Sequence, residues 1–359
     1  MAQNDAQNAQ INANSLVISS GDLSNNLITP TVSKINGVSI SGTPAQTNQL
    51  TASGSTAASW TAAAAAAAAY YNPLQTGAER VYAPNTVGYS VSVLSPASIT
   101  WDGTKLWITS NSTYYTVYNP TTGVLATYAA SSYGGSYSIY DGKYIWMGLN
   151  SSDIGKINPA TASLIATYSC VVGSSGVAFD GTNIWICGNA SGNLNKMNTS
   201  GTILATITGG NNSQQVCFDG TNIWFSANGG TTIGKVLASG TSLTATVTVG
   251  SSPSGLCYDG TSVWCAVNGT TNVVKINPST NAIIATVSTG TAPAGLCYDG
   301  QYIWVTHSSS TYIAKIDPTS AAVIATYAAS VSLPWSQSLA FDGVNIWQAC
   351  SAAGKIVRW

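Results

Sequence analysis

Hydrophobic and polar positions from Ala294 to Tyr327 (AGLCYDGQYIWVTHSSSTYIAKIDPTSAAVIATY) fall into four short runs rich in β-branched and aromatic residues. The runs cover Gly295 to Asp299, Tyr302 to Thr306, Tyr312 to Asp317 and Ala322 to Tyr327, each bounded by Gly, Ser, Asn or Pro, and they predict four strands. Asp299-Gly300 between the first two is a hairpin signal, because Gly tolerates the positive φ of a tight turn. The third and fourth are joined by Asp-Pro-Thr-Ser, in which Pro fixes φ at an early turn position.

This pattern recurs. An aromatic residue followed by Asp-Gly, with Trp five residues after the Asp, occurs at Asp102, Asp141, Asp180, Asp219, Asp259, Asp299 and Asp342, and the steps between them are 39, 39, 39, 40, 40 and 43. The partners are Trp107, Trp146, Trp185, Trp224, Trp264, Trp304 and Trp347. Four antiparallel strands per copy of about 40 residues describe a propeller blade. A parallel solenoid also repeats, but its coils are usually shorter and lack two hairpin turns per period.

The fold class expected is therefore all-β, a seven-bladed β-propeller of four-stranded blades over residues 88–359, preceded by a low-complexity arm at 1–87. The last copy stops at GKIVRW after its third strand, and the run Gly88 to Leu94 ahead of the first copy can supply the missing fourth. Joining the termini in one sheet would leave no open edge. In the arm, Ala62 to Ala69 is read as a linker, a short helix or plain low complexity; so short an Ala run is marginal as an isolated helix.

Composition narrows function. Charged residues are 6% of the chain and the net charge is −1, so there is no basic footprint for nucleic acid. No apolar run reaches the ~18 residues of a membrane span, and the first residues lack the basic start and apolar core of a classical secretion signal. The Cys residues Cys217, Cys257 and Cys297 share one first-strand position, which reads as small buried thiols rather than disulfides or a zinc site, and no metal or cofactor is expected.

From residue 81 onward there are nine Asp and no Glu, and seven of the nine are the repeat Asp; only Asp153 and Asp317 remain. Lys156, Lys196, Lys235, Lys275, Lys315 and Lys355 are read as one third-strand position, held by Val117 in the first copy, and each repeat Asp is expected to meet a repeat Lys. With His307 as the sole His of the chain, no catalytic triad can be assembled, and the expectation is a protein that is not an enzyme.

Two resemblances add context. Val32 to Trp60 resembles a short module of bacteriophage virion appendages such as tail and head fibres, through Ile35 to Val38, Ser41 to Pro44, Gln49 to Ala52 and Ala58 to Trp60. It implies virion attachment through residues such as Ile35, Gly42, Pro44 and Trp60, assembly in the host cytoplasm, other virion proteins as partners, and a homo-oligomer, with a trimer as one form. The repeats resemble YVTN-type surface repeats and the streptogramin lyase ring, through strings such as Phe218 to Trp224 and Val274 to Thr286. That lyase family uses His, Glu and a magnesium ion, and this ring has His307 alone and no Glu.

Binding residues concentrate on variable loops held by a rigid scaffold. In a propeller the 2–3 turns and the joins between blades share one face, here including Ser110 to Thr113, Asn189 to Gly192, Gly209 to Gln214, His307 to Ser310, and the joins Ala129 to Ser136 and Ala328 to Ser336. The candidates for binding a host-surface polysaccharide or protein are Trp335, Tyr133, Tyr114 and Tyr312, with His307 and Asn189 as polar company. A plug at ring closure for Trp335, and packing between blades for Tyr114, are the competing readings. The expected role is a structural virion protein that binds host surface or decorates the particle; the alternative is a cell-surface or scaffolding propeller that binds proteins.

Overall fold

The computed structural model describes residues 34–35, 38–41, 48–52, 57–62 and 89–359, except 131–134, 150, 172, 210–211, 311 and 329–337. The chain divides into two units, Met1–Val81 and Tyr82–Trp359. In the first, strands Lys34–Ile35, Val38–Ser41, Asn48–Ala52 and Ala57–Ala62 form one sheet, in which the second and fourth pair in parallel, Ser39 against Ala57. Residues 63–88, with most of the Ala run, lie outside the described residues.

The second unit is a ring of seven four-stranded antiparallel sheets. The sixth blade has strands Pro293–Tyr298, Ile303–His307, Tyr312–Asp317 and Ala322–Ala328, within a few residues of the runs expected from the sequence. The Asp-Gly turns supply the conformation that the hairpin needs: the seven glycines have φ between 90° and 97°. Closure is as expected. Ser338–Phe341, Ile346–Cys350 and Lys355–Arg358 are completed by Tyr89–Ser92, which pairs antiparallel with Lys355–Arg358.

The core lies between neighbouring blades rather than within one. Trp224 and Ile233 of the fourth blade pack with Leu256, Val263 and Cys265 of the fifth. Across the closure, Ile99, Leu106 and Ile108 of the first blade pack with Trp347 and Ile356 of the last. Six of the seven repeat Trp side chains are 0% exposed and Trp304 is 8% exposed. Each buried indole removes roughly 150–250 Å² from water, on the order of 4–6 kcal/mol at about 25 cal/mol per Å².

Inner strands are stitched by hydroxyl groups. Thr100 Oγ1 donates to Ser138 O (2.6 Å), Ser136 Oγ to Ser174 O (2.7 Å) and Ser254 Oγ to Ala294 O (3.1 Å), while Ile99 N donates to Ser338 Oγ (3.1 Å) across the closure. These bonds satisfy backbone groups that the narrow centre of the ring hides from water.

Candidate functional site

The repeat Asp residues are fully engaged in the fold. In the fifth blade, Asp259 Oδ1 accepts the backbone N–H groups of Thr261 (2.7 Å) and Ser262 (2.6 Å), and Oδ2 accepts Trp264 Nε1 at 2.7 Å. The indole bond recurs in the other six copies at 2.6–2.8 Å. The Asp therefore meets Trp and its own turn, which corrects the expected pairing with Lys. An indole N–H buried in a blade needs an acceptor, and the carboxylate at the hairpin is the one in reach.

The Lys residues instead join neighbouring blades. Lys156, Lys196, Lys235 and Lys275 each lie 4.9–5.4 Å from the Trp ring of their own blade. Their ammonium groups donate to carbonyls in the 3–4 turn of the next blade: Thr199 O (2.8 Å), Ala238 O (2.6 Å), Pro278 O (2.5 Å) and Pro318 O (2.8 Å). In the last blade the position opposite the repeat Trp belongs to Arg358, not Lys355: Trp347 pairs with Arg358 and Cys350 with Lys355.

The described loop-face candidates fall in three blades, the first, third and sixth. Tyr114, at the start of the first blade's third strand, is 42% exposed, and Asn189 in the third blade is exposed. His307 and Tyr312 of the sixth blade do come together, with ring centroids 4.7 Å apart. His307 is 0% exposed, its Nε2 3.2 Å from Thr289 Oγ1 and its Nδ1 3.4 Å from Tyr312 O, while Tyr312 Oη donates to Thr289 O at 3.1 Å. Burial lowers the His307 pKa below its usual 6.5. This cluster clamps a blade join to a 2–3 turn.

Tyr133, Trp335, Gly42 and Pro44 lie outside the described residues; Ile35 and Trp60 fall in strands of the N-terminal sheet. Of the remaining acids, Asp317 Oδ1 accepts Thr319 N and its Oδ2 accepts Ser320 Oγ, both at 2.8 Å, and these bonds lower its pKa. Asp153 accepts from Ser169 Oγ at 3.1 Å. Among the described residues, no group of three or more His, Cys, Asp or Glu side chains is placed to hold a metal ion.

The centre of the ring holds a feature that sequence reasoning missed. A cavity of about 160 Å³ is walled by apolar side chains of the inner strands, such as Ile99, Val177, Leu256 and Leu296, and by Tyr137 and Gln215. Tyr137 and Gln215 are hydrogen-bonded to each other across the intervening third blade, and burial pushes the Tyr137 hydroxyl up to about 12. The signal was present: four residues before each repeat Asp stand Ser98, Gly176, Gly255, Gly295 and Ser338, all small, and the two exceptions are Tyr137 and Gln215.

No protein-family model matches the chain, and no curated protein matches it in sequence. Solved structures do. A streptogramin B lyase superposes with a TM-score of 0.65 at 18% identity, over 76% of this chain and 95% of that one. The likeness is one of fold. Virginiamycin B lyase from Staphylococcus aureus gives 0.64 at 19% identity, covering 75% of this chain and 97% of that one. A chain of the Mitotic Checkpoint Complex gives 0.69 at 12%, covering 79% and 98%. The same propeller thus appears in a lyase and in a component of a multi-protein complex, so activity has to be argued from the side chains of this chain.

Proposed function

We propose that this protein is a non-enzymatic binding propeller carried on a bacteriophage particle, attached through its N-terminal unit and presenting the ring to a host-surface glycan or protein. The observation that carries the binding half is the commitment of the ring's acidic groups: all seven repeat carboxylates are occupied by turn N–H groups and a Trp Nε1. His307, the chain's single His, is sealed from solvent. The particle half rests on the resemblance of Val32 to Trp60 to virion appendage modules. Peptide mass spectrometry of purified particles tests it: the polypeptide is expected at stoichiometric levels, and particles without it sink the proposal.

A second reading, a scaffolding propeller that binds protein partners, draws support from the fold's occurrence in the Mitotic Checkpoint Complex. Affinity purification of the full chain separates the two: a defined cellular protein partner, with no particle association, favours scaffolding.

A further inference from the structure

The seven pseudo-equivalent blades provide an internal control, and the junction between the first two breaks the rule. There the third strand carries Val117 opposite Trp107, where five sister blades carry Lys. In those five the ladder between third and fourth strands shifts register directly after the Lys. In the first blade it runs without a shift, Val117 against Ala126 and Tyr118 against Leu125. A bulge re-aims a side chain, so the strand here has lost both the Lys and the device that points it at the next blade.

The ammonium is supplied from elsewhere. Lys105, three residues after Asp102 in the first hairpin, donates to Pro159 O in the next blade's 3–4 turn, but at 3.3 Å against 2.5–2.8 Å for the sister lysines. Beside Val117 lies a groove of about 290 Å³, lined also by Lys105, Asn119, Thr122, Tyr128 and Thr161. That is close to the lower end of the roughly 300–1,000 Å³ of small-ligand pockets and suits one ring-sized unit.

We propose that this groove binds a single carboxylate-bearing sugar unit. Lys105 has three N–H donors and one long bond to a carbonyl, so it can take a carboxylate by a charge-assisted bond. Asn119 Oδ1 is committed to the N–H groups of Thr121 (2.9 Å) and Thr122 (3.1 Å), so its Nδ2 is the group it offers to a hydroxyl. Thr122 and Thr161 line the same groove with further hydroxyls. Tyr128, held by stacking on Tyr115 with centroids 5.6 Å apart, gives a rigid aromatic wall for the apolar face of a sugar ring. The groove lies on the hairpin-turn face, away from the loop candidates, so this goes beyond the function proposed above and does not depend on particle association.

The test is calorimetric titration of the full chain with trigalacturonic acid, using the fully methyl-esterified trimer as a neutral control. The acid is expected to bind and the ester to bind at least roughly tenfold more weakly, a difference of about 1.4 kcal/mol. Val117→Lys restores the residue of the sister blades and fills the groove; it is expected to abolish binding while leaving the melting temperature unchanged or higher. Lys105→Met is expected to weaken the acid at least roughly tenfold, with little effect on the ester. Absence of acid binding, equal binding of the ester, undiminished acid binding by Lys105→Met, or undiminished binding by folded Val117→Lys overturns the proposal; should Val117→Lys misfold, the first three outcomes decide.

Discussion

Trp347 faces Arg358 across the ladder of the closing blade, and the guanidinium also lies 4.7 Å from the ring of Tyr89, on the strand contributed by the other end of the ring. One cation thus touches aromatic rings from both ends of the propeller. Arg358→Ala is expected to lower stability by about 1–2 kcal/mol, from loss of cation–π contact and of the stem packed against the rings. Lys355→Ala, in the same strand and paired with Ser92, is expected to cost less. Equilibrium unfolding of the two variants side by side decides it; equal losses would remove Arg358 from the closure.

Replacing one repeat Asp probes the hairpin lock. Asp259→Ala strands the indole N–H of Trp264, which is 0% exposed, along with the two backbone donors of the turn. Hydrogen bonds to a charged acceptor are worth about 1.5–3 kcal/mol, and an unsatisfied buried donor costs about 1–3 kcal/mol. A loss of about 3 kcal/mol by urea denaturation is expected, with Asp259→Asn losing less. A loss near zero for Asp259→Ala would show that the turn holds without its carboxylate.

The fold was legible because a hairpin leaves marks close together in sequence: Asp-Gly for the turn and Trp five residues on. The closing strand could be read from Gly88 to Leu94 for a similar reason, since a lone strand-like run ahead of the repeats matched a missing one at the end. The Asp partner was not legible. Complementary charge pointed to Lys, whereas the buried indole needed an acceptor and the lysines found carbonyls one blade away. Lys355 was misplaced because Gly354-Lys355-Ile356 imitates Gly234-Lys235-Val236, while the short 3-10 turn Ser351–Ala353 sets a different register. The Tyr137–Gln215 bond joins the second and fourth blades, a contact that local pattern cannot show.

Gly255 is required by close approach rather than by its φ. A Cβ there would run into Ala294 O and Leu296 N of the neighbouring inner strand, and backbone cannot move aside as a side chain can. Gly255→Ala is expected to cost about 2–3 kcal/mol. Gly230→Ala is the control, because its Cβ would meet only Ala227 O at an ordinary 3.6 Å. Thermal unfolding should separate the two clearly; a neutral Gly255→Ala would mean that the inner strands are looser than their geometry implies.

The thiols are expected to be inert in the folded protein. Burial pushes Cys187, Cys170 and Cys297 up to about 12, and Cys217 and Cys257 well above the usual thiol range. Nucleophilic attack needs the thiolate, so a thiol reagent near pH ~8 should leave these five unmodified until denaturant is added. Mass mapping after a brief exposure to iodoacetamide checks this. Prompt native labelling of Cys257 or Cys297, which keep partial surface exposure, would count against it.

His307 should make the ring less stable in mild acid. Its folded pKa is below the unfolded 6.5, so between the two values the unfolded chain binds a proton that the native state does not. The stability is fully present above 6.5 and is lost as pH falls toward the folded pKa, with a slope of at most about 1.4 kcal/mol per pH unit. The cause is structural: Nδ1 faces a carbonyl and Nε2 a hydroxyl in a site with no exposure, which suits a neutral ring. This is the chain's single His, and Asp317, with a pKa lowered from 3.8, titrates in a more acid range. Unfolding free energies at about pH 7.5 and about pH 5.5 should therefore differ for the natural chain and converge in His307→Gln. A slope that survives His307→Gln would assign the acid sensitivity to other groups.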